Sequence, residues 1–162
     1  MRPYLLIALG FLAAPLAAHE FKLGDLVIDH PYALETARTA MAGAGYMEIT
    51  NNGDTTDRLM SVTADFPKIE IHTVVMTDDG VARMRPLEAG LEIAPGETVA
   101  LQPGGFHIMF MGLNGDPFEA GEAFGATLVF ETAGALDVTF NIEPRNDETM
   151  QMDHSQHKMN MN

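Results

Sequence analysis

The chain has 162 residues, with 23 acidic and nine basic side chains and a formal charge of −14. A surface so acidic repels nucleic-acid phosphates and anionic lipid, so neither is expected as a partner; it attracts cations or a basic protein face, although solubility alone also accounts for it. The absence of cysteine excludes a disulfide-stapled scaffold and a blue-copper electron carrier, which needs a thiolate ligand.

The first segment, "MRPYLLIALGFLAAPLAAHE", has a cation at Arg2, an apolar run from Tyr4 to Ala14 and the small residues Ala17 and Ala18. This is the layout of a secretory signal peptide, residues 1–18, and its apolar run is too short to span a bilayer. Cleavage after Ala18 leaves His19 at the new N-terminus of a chain in the periplasm or outside the cell. No later segment has the roughly 18 consecutive apolar residues of a membrane helix, so no membrane insertion is expected. The rest suits one domain, residues 19–144, expected as a monomer.

From there the chain reads as strands and turns. "LGDLVIDHP", "GAGYMEITNNGD", "DRLMSVTAD", "KIEIHTVV", "VARMRPL", "ETVALQPGG", "FHIMFMGL", "FGATLVFETAG" and "ALDVTFNIEP" alternate apolar positions between Gly, Pro, Asn and Asp turn signals. Short strands so evenly spaced predict an all-β fold, a sandwich or barrel. In "DVTFNI", Val138, Phe140 and Ile142 share one face and Asp137, Thr139 and Asn141 the other. "ETAG" before Ala135 predicts a hairpin turn and "NNGD" at 51–54 another. Only "LETARTAMA", 34–42, can be read as a helical turn, and equally as a loop. His30, before Pro31, is expected to fix a turn after the first strand.

Beyond Pro144 nothing alternates, and residues 145–162 carry too little aliphatic surface to offset the cost of ordering them, so a disordered tail is expected. Its end, "MQMDHSQHKMNMN", reads by composition as a metal-binding tract without naming the metal.

Strand alternation also groups chemistry inside the body. In "FHIMFM", Phe106, Ile108 and Phe110 face the core, which leaves His107, Met109 and Met111 on the opposite face. In "KIEIH", Ile69 and Ile71 turn inward while Glu70 and His72 turn outward. Met84 lies between Arg83 and Arg85, which must reach water, so it points away from them or sits at a rim. A lone strand histidine is ordinarily a hydrogen-bonded surface residue and a lone methionine a gap-filler. Imidazole with thioether and no thiolate, however, is a ligand set that suits Cu(I) above zinc, calcium or magnesium. In an oxidising compartment thioethers also avoid the disulfide chemistry of thiols.

Over nearly the whole body, from "KLGDLVIDHPYA" through "AGYMEITNNGDTTDRL" and "IEIHTVVMTDDGVARMRPLEAGLEIAPGETVALQPGGFHIMFMGL", the chain resembles the periplasmic copper chaperones called PCu(A)C. The copper motif of that family is a histidine, then a methionine, then a histidine and a methionine as H-x-M. His72, Met84, His107 and Met109 fall at those places. The resemblance implies a cupredoxin-like or Ig-like β-sandwich in which these four residues hold Cu(I) near the surface. It also implies delivery to the binuclear copper centre in subunit II of cytochrome c oxidase, alongside a Sco-type thiol protein. A methionine that some members carry just after the first histidine is absent here, where Thr73, Val74 and Val75 follow His72; Met76 and Met111 are its candidate substitutes.

The residue chemistry favours transfer over catalysis, since no hydrolase nucleophile signature is present and a site without thiolate can release Cu(I) to a thiolate-rich acceptor. The tail repeats the ligand types of the body: Met150, Met152, His154, His157, Met159 and Met161 are expected to form a second site for Cu(I) or Cu(II). Its tether holds the two sites at roughly millimolar effective concentration. The alternatives are a copper buffer without a client and a copper-dependent redox enzyme that uses His19 or the tail; for His19 the plain reading is a frayed terminus.

Overall fold

The computed structural model describes residues 20–145. The signal segment, His19 and all six tail ligand candidates, Met150, Met152, His154, His157, Met159 and Met161, lie outside the described residues.

Within them the chain forms strands β1 (Glu20–Leu23), β2 (Leu26–Leu34), β3 (Ala42–Asn51), β4 (Asp57–Thr63), β5 (Lys68–Met76), β6 (Ala82–Pro86), β7 (Leu91–Ile93), β8 (Thr98–Leu101), β9 (His107–Met111), β10 (Ala123–Phe130) and β11 (Ala135–Glu143). Among the described residues there is no helix, and segment 35–41 is a turn and loop. The hydrogen-bonded order is β6-β5-β9-β3-β2-β11-β10-β4-β7, with β1 added to β2 and β8 to β3. All pairs of named strands are antiparallel except β11 with β2.

Two long strands turn this path into two layers. β3 pairs with β9 through residues 42–45 and with β8 through residues 47–50. β2 pairs with β1 through residues 26–29 and with β11 through residues 32–34, changing partner at a break in its register with β3. His30 and Pro31 sit at that break, and His30 has φ 48. Pro31 has no N–H for the ladder, and a left-handed residue before it bulges the strand, which bends and continues. The turn expected at His30 is therefore a bulge inside β2. Its ring is tied by Nε2 to Oε1 of Glu143, 2.6 Å away.

The core lies between the layers. Val138, Phe140 and Ile142 are buried as their alternation predicts. Phe110 of β9 meets Phe124 of β10 at 5.0 Å and Phe140 of β11 at 5.6 Å between ring centroids. These strands are not neighbours in the sheet order, so the contacts cross from one layer to the other. Edge-to-face pairs of this kind add about 0.5–1.5 kcal/mol each beyond their buried area. Gly45 makes room for them: a Cβ there would stand 2.7 Å from the Phe110 ring and 3.0 Å from Phe140.

The predicted "ETAG" and "NNGD" turns are present, and Asn51 closes the second with its side-chain oxygen on the Gly53 N–H. Two elements escape a periodicity reading. "LGDLVIDHP" is two strands, because Gly24 at φ 58 reverses the chain between Leu23 and Leu26. β7 is only three residues long, too short to show a period, yet Leu91 and Ile93 bury on either side of exposed Glu92.

Candidate metal centre

β5, β6 and β9 form one end of the sheet order. In their register His72 is opposite His107, Glu70 is opposite Met109, and Val74 is opposite Met84. Opposed residues share a face, and so do residues two apart on a strand. His72, Met84, His107 and Met109 therefore lie on one face, away from the core face that holds Ile71, Ile108 and Phe110. His72 is the hub: it faces His107 directly and is diagonal to both methionines, within reach of long side chains.

His72 was expected to turn outward and His107 to lie opposite the core face; both are buried, His72 at 9% and His107 at 3% exposure. The face is right and the solvent is missing. The two rings pack edge to face with centroids 5.6 Å apart. Pro86 stands opposite His72 on β6, and on the other flank the turn through Pro103 and Gly104 lies beside His107.

Each ring has one nitrogen engaged by the protein. His107 Nδ1 lies 3.0 Å from the carbonyl oxygen of Gly105, and a carbonyl only accepts, so Nδ1 carries the proton. His72 Nε2 lies 3.0 Å from Oε2 of Glu70, whose other oxygen is 2.8 Å from Lys68 Nζ. The lysine bond first, and the histidine bond second, hold the Glu70 carboxyl below its ordinary range; the carboxylate accepts, and His72 Nε2–H donates. The remaining nitrogens, Nδ1 of His72 and Nε2 of His107, are buried with no hydrogen-bond partner. Buried polar atoms are ordinarily paired, so these two nitrogens on facing rings are candidate metal donors. Burial lowers the pKa of His107, opposed by the Gly105 bond and helped by nearby His72, so its imidazole stays neutral and able to ligate.

His107, Met84 and Met109 line a common cavity of about 430 Å³ with Ala44, Tyr46, Val74, Pro103 and Arg145 among its other walls. Met109 is half-buried and Met84 is 58% exposed, which is the rim position its flanking arginines predicted. Met76 and Met111 share the ligand face by register but are not part of the cavity wall. Glu70 is the participant that the sequence reading left without a role; its two-residue spacing from His72 on a strand was the available signal. Among the described residues no three Asp, Glu, His or Cys side chains converge on one point, so the arrangement offers soft thioethers and imidazoles in place of a hard oxygen cage. A separate cavity of about 460 Å³, lined by Asp29, His30, Glu48 and Glu143 among others, shares the wall at Pro103.

The chain is 32% identical over 101 residues to "Putative lipoprotein Lxx21020" of Leifsonia xyli subsp. xyli (strain CTCB07); the match covers 62% of this chain and spans 60% of that relative's length. Among solved structures it resembles the apo PCuAC domain from PmoF1, at TM-score 0.65 and 27% identity over 78% of this chain and all of that one. It resembles the copper-bound PCuAC domain from PmoF2 at TM-score 0.63 and 27% identity, over 78% and 99% of the two chains. The CuI-DR1885 structure from Deinococcus radiodurans has the same fold, at TM-score 0.58 and 24% identity over 79% and 83%. The expected PCu(A)C resemblance and all-β sandwich are thus borne out. The family model described as "Putative lipoprotein LpqE-like" matches residues 26–142, a span that contains His72, Met84, His107 and Met109, and the chain belongs to this LpqE-like family.

Proposed function

We propose that this protein is a periplasmic copper chaperone, a carrier and not an enzyme, that holds Cu(I) on His72, Met84, His107 and Met109. The observation that carries the reading is the pair of buried, unpartnered ring nitrogens on facing histidines, beside two methionines on the same face. The copper-bound state of the PmoF2 domain supports it. Copper is cargo here. The internal bonds from Glu70 and Gly105 fix each ring and its tautomer before the metal arrives, which lowers the cost of binding. Two neutral imidazoles and two thioethers leave the loaded site positively charged and without a thiolate, so transfer to a thiolate-rich acceptor is downhill.

The client is the binuclear copper centre of cytochrome c oxidase subunit II, with a Sco-type thiol protein acting beside it. The signal segment supports export to the periplasm. The tail ligands, Met150, Met152, His154, His157, Met159 and Met161, form a second site for Cu(I) or Cu(II) that feeds the first.

Stoichiometric titration of the exported protein tests both sites. Met84→Leu with Met109→Leu removes the tight Cu(I) equivalent, and deletion of residues 146–162 removes the further Cu(I) or Cu(II) capacity. Retention of tight Cu(I) by the double variant overturns the body site, and unchanged stoichiometry after the deletion overturns the tail site. Normal oxidase assembly in cells that carry only the double variant overturns the client and leaves a copper buffer.

A further inference from the structure

The β5–β6 hairpin differs from the rest of the described surface. Val75, Met76, Val81 and Met84 are 45%, 59%, 48% and 58% exposed, and of the large hydrophobic residues exposed among the described residues only Met41 and Met60 lie elsewhere. β6 ends the sheet order, so one of its edges has no strand partner among the described residues, and every residue of it is exposed. Exposed apolar groups on an unpaired edge are normally avoided because they invite association, so their concentration here signals a docking surface.

Charge identifies the occupant. Arg83 and Arg85 stand opposite Val75 and Thr73, on the face of the hairpin away from Met84. The ion pairs among the described residues use Lys22, Arg58 and Lys68 and the histidines His30 and His72, and neither arginine of β6. Two guanidiniums on one edge strand, without an ion-pair partner among the described residues, are conspicuous in a chain of net charge −14. Asp78 and Asp79 occupy the turn beyond them, but Asp79 is turned back onto the Thr77 hydroxyl. A second copy of this chain is a poor occupant, because edge-to-edge pairing of two β6 strands sets arginine near arginine. An acidic partner is repelled by the body and held at β6, where guanidinium forks can grip carboxylates.

The geometry points to the β5–β6 hairpin as the docking surface for an acidic copper acceptor, with Arg83 and Arg85 orienting the partner and Val75, Met76 and Val81 packing against it. Docking along the unpaired edge of β6 sets the acceptor beside Met84, the most exposed of the four ligands, which the same strand carries on its other face. The inference rests on the chaperone reading and names the surface through which its client is reached.

The test is the rate of Cu(I) transfer from the loaded protein to the purified, copper-free soluble domain of cytochrome c oxidase subunit II. Arg83→Glu with Arg85→Glu slows transfer by roughly 10–100-fold at low salt, since removal of electrostatic steering acts on association. The difference shrinks near 1 M salt, where the Debye length is about 3 Å. Cu(I) affinity, measured by competition with a small chelator, stays at the wild-type value and reports an intact site. The milder Arg83→Ala with Arg85→Ala gives an intermediate rate. Equal rates for wild type and charge-reversed protein at low salt overturn the docking surface. Failure of the wild type to load the domain at any salt is a different result and overturns the client.

Discussion

His72 and His107 face each other across β5 and β9 in opposite tautomers: Nε2–H of the first donates to the Glu70 carboxylate, and Nδ1–H of the second donates to the Gly105 carbonyl. Nitrogen NMR of the copper-free protein is expected to show one neutral ring of each kind. Two rings in the same tautomer would remove the basis for two preset donors. Glu70→Ala frees the His72 ring and is expected to weaken Cu(I) binding by about 10–100-fold, the usual effect of losing such a partner. Glu70→Gln keeps an acceptor oxygen and restores most of the affinity; equal losses in both variants would assign the effect to charge and not to orientation.

The methionines separate binding from stability. Met84 is exposed, so Met84→Leu leaves the urea midpoint within about 0.5 kcal/mol of wild type. Met109 is half-buried, and Met109→Leu conserves volume at a cost under about 1.5 kcal/mol. Each nonetheless lowers Cu(I) affinity, read by competition titration. A stability loss well beyond these values with copper affinity intact would make them packing residues.

Acid acts through His107. Its folded pKa lies below the unfolded value, so the unfolded chain takes up the proton first. Its contribution is fully present above about pH 6.5, the unfolded value, and is lost as pH falls through the depressed folded pKa. Denaturation of the copper-free protein across that window should therefore show a steeper loss for wild type than for His107→Gln. Parallel curves would refute the assignment.

Core tolerance is expected to differ sharply between two glycines. Gly45→Ala drives a methyl into Phe110 and Phe140 and should cost about 1–3 kcal/mol, as overpacking does. Gly125→Ala meets nothing within 4 Å and should stay within about 0.5 kcal/mol. Comparable urea midpoints for the two variants would contradict the aromatic packing described.

The class of fold was legible because it follows from period two, which "DVTFNI" displays without help from the rest of the chain, and "FHIMFM" likewise put His107 and Met109 on one face; that His72 and Met84 join them was implied by the family resemblance and not by periodicity. Burial of His72 and His107 was not legible. It depends on Pro86 and on the turn before His107, which reach the histidines only through the pairing of β5 with β6 and β9, and pairing is not written in any one strand. His30 misled for a related reason: a residue before proline signals a bend, and whether the bend ends a strand or bulges it depends on which neighbours continue the ladder. Glu70 was seen on the right face, but its bond to His72 needed coordinates.

β2 and β3 each serve partners in two places along their length, and this divides the molecule into regions of unequal cooperativity. Amides of β9 and of the first half of β3 can exchange with solvent only when much of the sandwich opens, because their ladders are flanked on both sides. β6 is bonded along one edge only and can fray while the remainder stays closed. Hydrogen exchange should accordingly grade from β6 through β5 to β9. His107 and Met109 thus sit on the slowest-opening strand of the three and Met84 on the fastest, so a local opening that loosens one ligand leaves the other three in register.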